Sequence, residues 1–136
     1  MSELKLNATA TAECVVGVAD LASALSCESG DNFPPVFSTP RMVALMELAS
    51  ARLLSPVLAP GELSAGVSLD VVHTAATLPG AKVTATARYV GREGKLYVFK
   101  VTAFDPAGEI GRATHKRAIV SAERLMAGAE QRNQRS

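Results

Sequence analysis

The sequence predicts an α+β fold in which one curved antiparallel sheet of about five strands wraps round a single long central helix. Three observations lead there. Residues 37–58, FSTPRMVALMELASARLLSPVL, carry helical spacing and are apolar on nearly every side. A strand-like segment, TAECVVGV, precedes them at residues 11–18. After them, residues 62–121 alternate apolar and polar side chains between short turns, which reads as four further strands.

Each element has its own signal. Residues 19–35, ADLASALSCESGDNFPP, are small, polar and turn-forming, and read as an irregular crossing segment with one helical turn. In the helix, Thr39 fits the N-cap and Pro40 the first helical position, where a missing N–H costs nothing. Met42, Val43, Met46, Ala49, Leu53 and Leu54 recur at three- and four-residue spacing, and Pro56, Pro60 and Gly61 end the run at about residues 55–58. Leu45 and Leu48 make the far side apolar too, so the helix needs to be wrapped. The strands LSAGVSLDVVHTAAT, KVTATARYV, KLYVFKVTAF and EIGRATHKRAIVSA are separated by LPG, GREG and DPAG. Turns this short make sequential strands antiparallel neighbours. The closing ERLMAGAEQRNQRS starts as a helical turn and frays over residues 127–136.

One strand, a long buried helix and a meander curling round it is the plan of the hotdog fold. Residues 1–136 read as a single hotdog domain with its core at about 11–121. Its free sheet edges and the exposed part of so apolar a helix predict a homodimer.

Composition excludes several functions. Fourteen Lys and Arg stand against 13 Asp and Glu, a net charge of +1, which provides no field for nucleic acid or an anionic membrane. No apolar run reaches the ~18 residues that span a bilayer. Residues 1–10 lack a signal-peptide core, which together with only Cys14 and Cys27 points to two free thiols in a reducing cytoplasm. No Cys/His cluster suggests a metal.

A carboxylate, Glu47, stands between Met46 and Leu48 in the apolar helix. In GVSLDVVHTAAT, strand alternation puts His73 on the same face as Val67, Leu69 and Val71. A helix packed on that face would bring carboxylate and imidazole into one water-poor region. Taken singly, Glu47 also suits a partly exposed helix face, and His73 suits a core or interface position.

The segments FPPVFSTPRMVALMELASARLLSPVLAPGE, SAGVSLDVVHTAATLPG and GEIGRATHKRAIV are similar to the fluoroacetyl-CoA thioesterase family of single-hotdog proteins, over about residues 33–120. The resemblance implies acyl-CoA thioester hydrolysis by a catalytic group of Thr39, Glu47 and His73, with no cofactor beyond the coenzyme A of the substrate. It implies that the backbone N–H of Gly66 holds the thioester oxygen and that Phe33 stands as an aromatic lid residue in substrate binding. A second lid aromatic is missing near Gly30, and Pro40 replaces a glycine of the specialised enzyme. Both departures argue against strong fluoroacetate selectivity. His115 and Arg117 match a strand motif and read as structural or interface residues. A non-catalytic hotdog that binds an acyl thioester or similar small ligand is the alternative.

Thioester hydrolysis needs a nucleophile or activated water, a proton-handling group for the thiolate and a donor for the oxyanion. Thr39 and Glu47 are eight residues apart, about 12 Å along a regular helix. Either the opening turn is distorted or the site combines residues of two subunits.

Overall fold

The computed structural model describes residues 3–135. Strand β1 spans Thr9–Val15, helix α1 spans Thr39–Leu54, and strands β2 to β5 span Glu62–His73, Lys82–Glu93, Leu96–Asp105 and Gly108–Ser121. Helix α2, Ala122–Arg135, follows. The five strands form one antiparallel sheet in the order β1-β3-β4-β5-β2, curled round α1 as a hotdog.

Helix α1 lies on the concave face because its buried stripe, Met42, Leu45, Met46, Ala49, Leu53 and Leu54, meets small strand residues that let it approach. Ala85, Ala87 and Ala103 are fully buried beneath it beside Val83 and Phe99. Burying each Met or Leu of the stripe contributes about 1.5–3 kcal/mol. The helix is not covered all round: Leu48 remains 43% exposed. So does Val67, at 56%, on β2, an edge strand that no other strand covers among the described residues.

Strand order departs from the simple meander. Only β3, β4 and β5 follow one another as neighbours, while β2 pairs with β5 and β3 with β1. The LPG segment is therefore no hairpin. Residues 74–81 instead cross the open end of the sheet, held by the Thr74 N–H and hydroxyl on the Ile110 carbonyl, by Thr77 Oγ1 on Asp105 at 2.8 Å, and by Gly80 N–H on the Val16 carbonyl. The Thr77 carbonyl accepts from Phe37 N–H, which ties this crossing to the start of the helix. The irregular segment before α1 contains two short 3-10 turns, Val18–Asp20 and Ala22–Leu25, rather than one helical turn.

Two ends of helices also differ from expectation. Ser38, not Thr39, is the N-cap: its backbone is extended and its Oγ accepts from Arg41 N–H at 3.2 Å. Thr39 is already helical, and its hydroxyl is free for another partner. The C-terminal segment does not fray after one turn but stays helical through Arg135. It consists mostly of strong helix formers, Ser121 Oγ accepts from Arg124 N–H at its start, and Glu123 and Arg132 suit the helix dipole.

Capping gives a stability test. Ser38→Ala is expected to lower the unfolding free energy by about 1 kcal/mol in urea titration, whereas Thr39→Ala leaves it within about 0.5 kcal/mol. The reverse order would return the cap to Thr39.

Candidate active site

Helix α1 and strand β2 each present chemistry at two places, and the places do not coincide. At the N-terminal end of α1, Thr39 Oγ1 lies 2.8 Å from His73 Nδ1. The freedom of Thr39 comes from Ser38 taking the cap, and the position of His73 from its pairing with Gly111 at the end of β2. The other ring nitrogen, His73 Nε2, is buried and has no hydrogen-bond partner among the described residues. An unsatisfied buried nitrogen is costly and marks a place where a ligand atom gains. Burial pushes the His73 pKa below the usual imidazole value, with the backbone of Ala75 partly countering it. A cavity of about 380 Å³ opens here, lined by Thr39, His73, Ala22, Pro34, Val36, Phe37, Ala75 and Ala76 among others.

Two turns further along α1, Glu47 Oε2 accepts from Arg117 Nη1 at 2.9 Å. The Arg117 side chain is only 7% exposed, and every arm of its guanidinium is used. Nε donates to Ser64 Oγ at 3.0 Å and Nη2 to the Ser64 carbonyl at 2.9 Å. Nη1 also donates to His115 Nε2 at 3.1 Å. His115 Nδ1 in turn donates to the Ser68 carbonyl at 2.8 Å, which fixes the neutral Nδ1–H tautomer. Burial is the main reason the His115 pKa lies low, and the neighbouring Arg117 charge adds to it.

Gly66 belongs to this second cluster. It pairs with Arg117 in register, just before a bulge at residues 66–68. A Cβ on it would fall 2.5 Å from Glu47 Oε2 and 3.3 Å from His115 Cε1, so a side chain there would push the carboxylate from its place beside Arg117. A smaller cavity of about 170 Å³, lined by Glu47, Gly66, Val67, Ser68, Leu69, Val43 and His115, opens at this point.

The expectation that one helix face and one strand face would bring Glu47 to His73 is therefore not met within a chain. The first turn of α1 is regular, so Thr39 and Glu47 stay about 12 Å apart along the axis. On β2, Gly66 and His73 are seven residues apart, roughly 20 Å of strand. Thr39 joins His73, and Glu47 joins Gly66, Arg117 and His115. Phe33 is 43% exposed and does not line either cavity.

The sequence pattern of the family described as fluoroacetyl-CoA-specific thioesterase matches residues 16–123. The chain belongs to that family. It is 46% identical, over 100 residues, to the fluoroacetyl-CoA thioesterase of Streptantibioticus cattleyicolor, covering 74% of this chain and 72% of that protein. A solved structure of the fluoroacetyl-CoA thioesterase FlK superposes with a TM-score of 0.90 at 39% identity, over 96% of this chain and 98% of that one. A thioesterase superfamily member from Thermus thermophilus gives 0.88 at 28% identity, over 99% and 97%.

Sequence reasoning, which read Arg117 as a structural or interface residue, did not show that it holds Glu47. The available signal was the alternation that puts His115 and Arg117 on one strand face, but their pairing opposite Gly66 is non-local. It also missed Ala22, Ala75 and Ala76 as cavity walls, since alanines carry no chemical signature.

The two histidines of the chain allow a direct check. In an NMR titration, both imidazoles are expected to titrate below the ordinary ~6.5, because burial disfavours the cation at each. A histidine resonance titrating above that value contradicts the packing described.

Proposed function

We propose that this acyl-CoA thioesterase is a homodimer whose catalytic centre joins Thr39 and His73 of one subunit to Glu47 and Gly66 of the other. The observation that carries the reading is the division into two incomplete clusters, each beside its own cavity, one at the C-terminal end of the edge strand β2 and one near its middle. An antiparallel copy laid along that edge, centred between residues 66 and 73, would set His73 of one β2 beside Gly66 of the other. The exposed Val67 and Leu48 support β2 and α1 as the contact surface.

The reaction is thioester plus water to carboxylic acid plus coenzyme A. A C–O bond forms, the C–S bond breaks, and the proton lost by water ends on the thiolate. With Nδ1 engaged by Thr39, His73 Nε2 is the nitrogen left to carry that proton. Its low pKa keeps the imidazole neutral at pH 7, ready to accept. The Glu47 carboxylate, held by Arg117, either orients the attacking water or attacks the carbonyl itself to give an anhydride that water then opens. Gly66 lines the same small cavity, and its backbone N–H serves the developing oxyanion. No cofactor enters these steps. The free thiols of Cys14 and Cys27 suit the reducing cytoplasm in which we place the enzyme.

Glu47→Gln and His73→Ala are each expected to lower kcat about a hundredfold or more on a panel of acyl-CoAs, read by thiol-trapping dye. Mixed in equal amounts and allowed to exchange subunits, the two inactive variants should regain about a quarter of wild-type activity, since half the dimers are hybrid and each hybrid has one intact site. A mixture that stays inactive despite exchange contradicts the shared site. Tight acyl-CoA binding with no release of CoA by the wild type favours a binding protein instead.

Structures of FlK hold acetyl-CoA in one variant and fluoroacetate with CoA in another. In this chain the cavity beside Thr39 and His73 is lined by Ala22, Ala75 and Ala76 together with Pro34, Val36 and Phe37, and Phe33 stands outside it. Apolar contacts separate close analogues by only ~1–3 kcal/mol. The ratio of kcat/KM for fluoroacetyl-CoA over acetyl-CoA is therefore expected to stay within about two orders of magnitude. A ratio near a millionfold contradicts the open pocket.

A further inference from the structure

We infer that Gly111 and Met42 form a positioning pair that sets the hydrogen bond between Thr39 and His73. Neither touches the reacting atoms. Gly111 lies on β5, in register with His73 on β2. Its missing side chain leaves a notch, and a Cβ there would meet the Val72 carbonyl oxygen at 2.7 Å and both Met42 Sδ and Cε at 2.8 Å. Met42, fully buried, fills this notch from the helix side.

Both contacts bear on the catalytic pair. Met42 stands three residues after Thr39, on the same side of the first turn of α1, and its N–H is bonded to the Ser38 carbonyl. How deeply it seats in the notch decides how near Thr39 comes to the strand. Val72 immediately precedes His73, so a group that presses on its carbonyl shifts the imidazole as well. Next to Gly111, the Ile110 carbonyl accepts from both the N–H and the hydroxyl of Thr74, which fastens the chain on the far side of His73. Residues 110 and 111 of β5 thus hold both flanks of His73 and receive the helix that carries Thr39. Side chains elsewhere in this layer, such as Ala113 on the same strand, are small but not absent. The need for glycine here is one of space.

The kinetic readout rests on thioester hydrolysis at His73, but a spectroscopic readout does not. Gly111→Ala is expected to lower kcat about thirtyfold or more with KM within about threefold, because it displaces groups that act in the transition state rather than in binding. Added to His73→Ala it should cost almost nothing further, since both changes act through one bond. In the Gly111→Ala single variant the His73 ring-nitrogen NMR signals should move, because Nδ1 loses its partner. Met42→Leu preserves volume but withdraws the methyl from the notch, and is expected to lower kcat about fivefold or more. Met46→Leu, one turn along and equally buried, should leave it near wild type.

Turnover of Gly111→Ala within threefold of wild type overturns the inference, as does a loss that multiplies in full with that of His73→Ala. Should Gly111→Ala fail to fold, the leucine pair decides, and equal kcat values for Met42→Leu and Met46→Leu overturn it. Should the wild type release no CoA, the proposed function fails while the His73 signals still decide: unchanged signals in the Gly111 or Met42 variant overturn the positioning role.

Discussion

The rise of the chain along regular secondary structure governs how this protein can do chemistry. A helix advances about 1.5 Å per residue and a strand about 3.3 Å, so eight residues of α1 and seven of β2 hold the Thr39–His73 cluster well away from the Glu47–Gly66 cluster. Because helix and strand are packed into one core, neither can bend to close the gap without breaking the buried stripe. Dimerisation along β2 is then more than a way to cover an exposed edge. In the proposed shared site it is the step that completes the reactive centre, which would make catalysis depend on the concentration and register of a second copy.

Each half is pre-arranged by groups that do not react. Arg117 keeps all its donors occupied and so holds the Glu47 carboxylate from a nearly buried position, while His115 accepts one of those donors because its other nitrogen is committed to Ser68. Thr39 is available to His73 only because the neighbouring Ser38 satisfies the helix N-terminus. Two absences of side chain, at Gly66 and Gly111, bring the helix and its carboxylate against the sheet. Such preorganisation leaves little to order when the two clusters are brought together in the proposed dimer.

Much of the fold was legible locally. The three- and four-residue spacing of Met42, Met46, Ala49 and Leu53 marked α1, and Pro56, Pro60 and Gly61 set its end at about residues 55–58, just beyond the Leu54 at which it stops. Alternation marked the strands, although β1 lies at Thr9–Val15 rather than 11–18. What local pattern does not carry is pairing between distant segments. The partnership of β2 with β5 and the crossing of residues 74–81 depend on contacts such as Thr77 with Asp105, far apart in the chain. The choice between Ser38 and Thr39 as cap turned on backbone angles that either residue tolerates. Glu47 stood out as a charge in an apolar helix and His73 by strand alternation, Thr39 joined them through family resemblance, and Arg117 matched a strand motif whose hold on Glu47 became visible only with its position opposite Gly66.

The division of the site is tested most directly by a crystal structure of the protein with a non-hydrolysable acyl-CoA analogue in which the thioester sulfur is replaced by a methylene. The account predicts the ketone carbon within about 4 Å of His73 and Thr39 from one subunit and of Glu47 from the other, with the Gly66 N–H of that second subunit directed at the ketone oxygen. A ketone bound beside Thr39 and His73 with every Glu47 carboxylate remote from it, or a monomer that binds the analogue in full, would contradict the account.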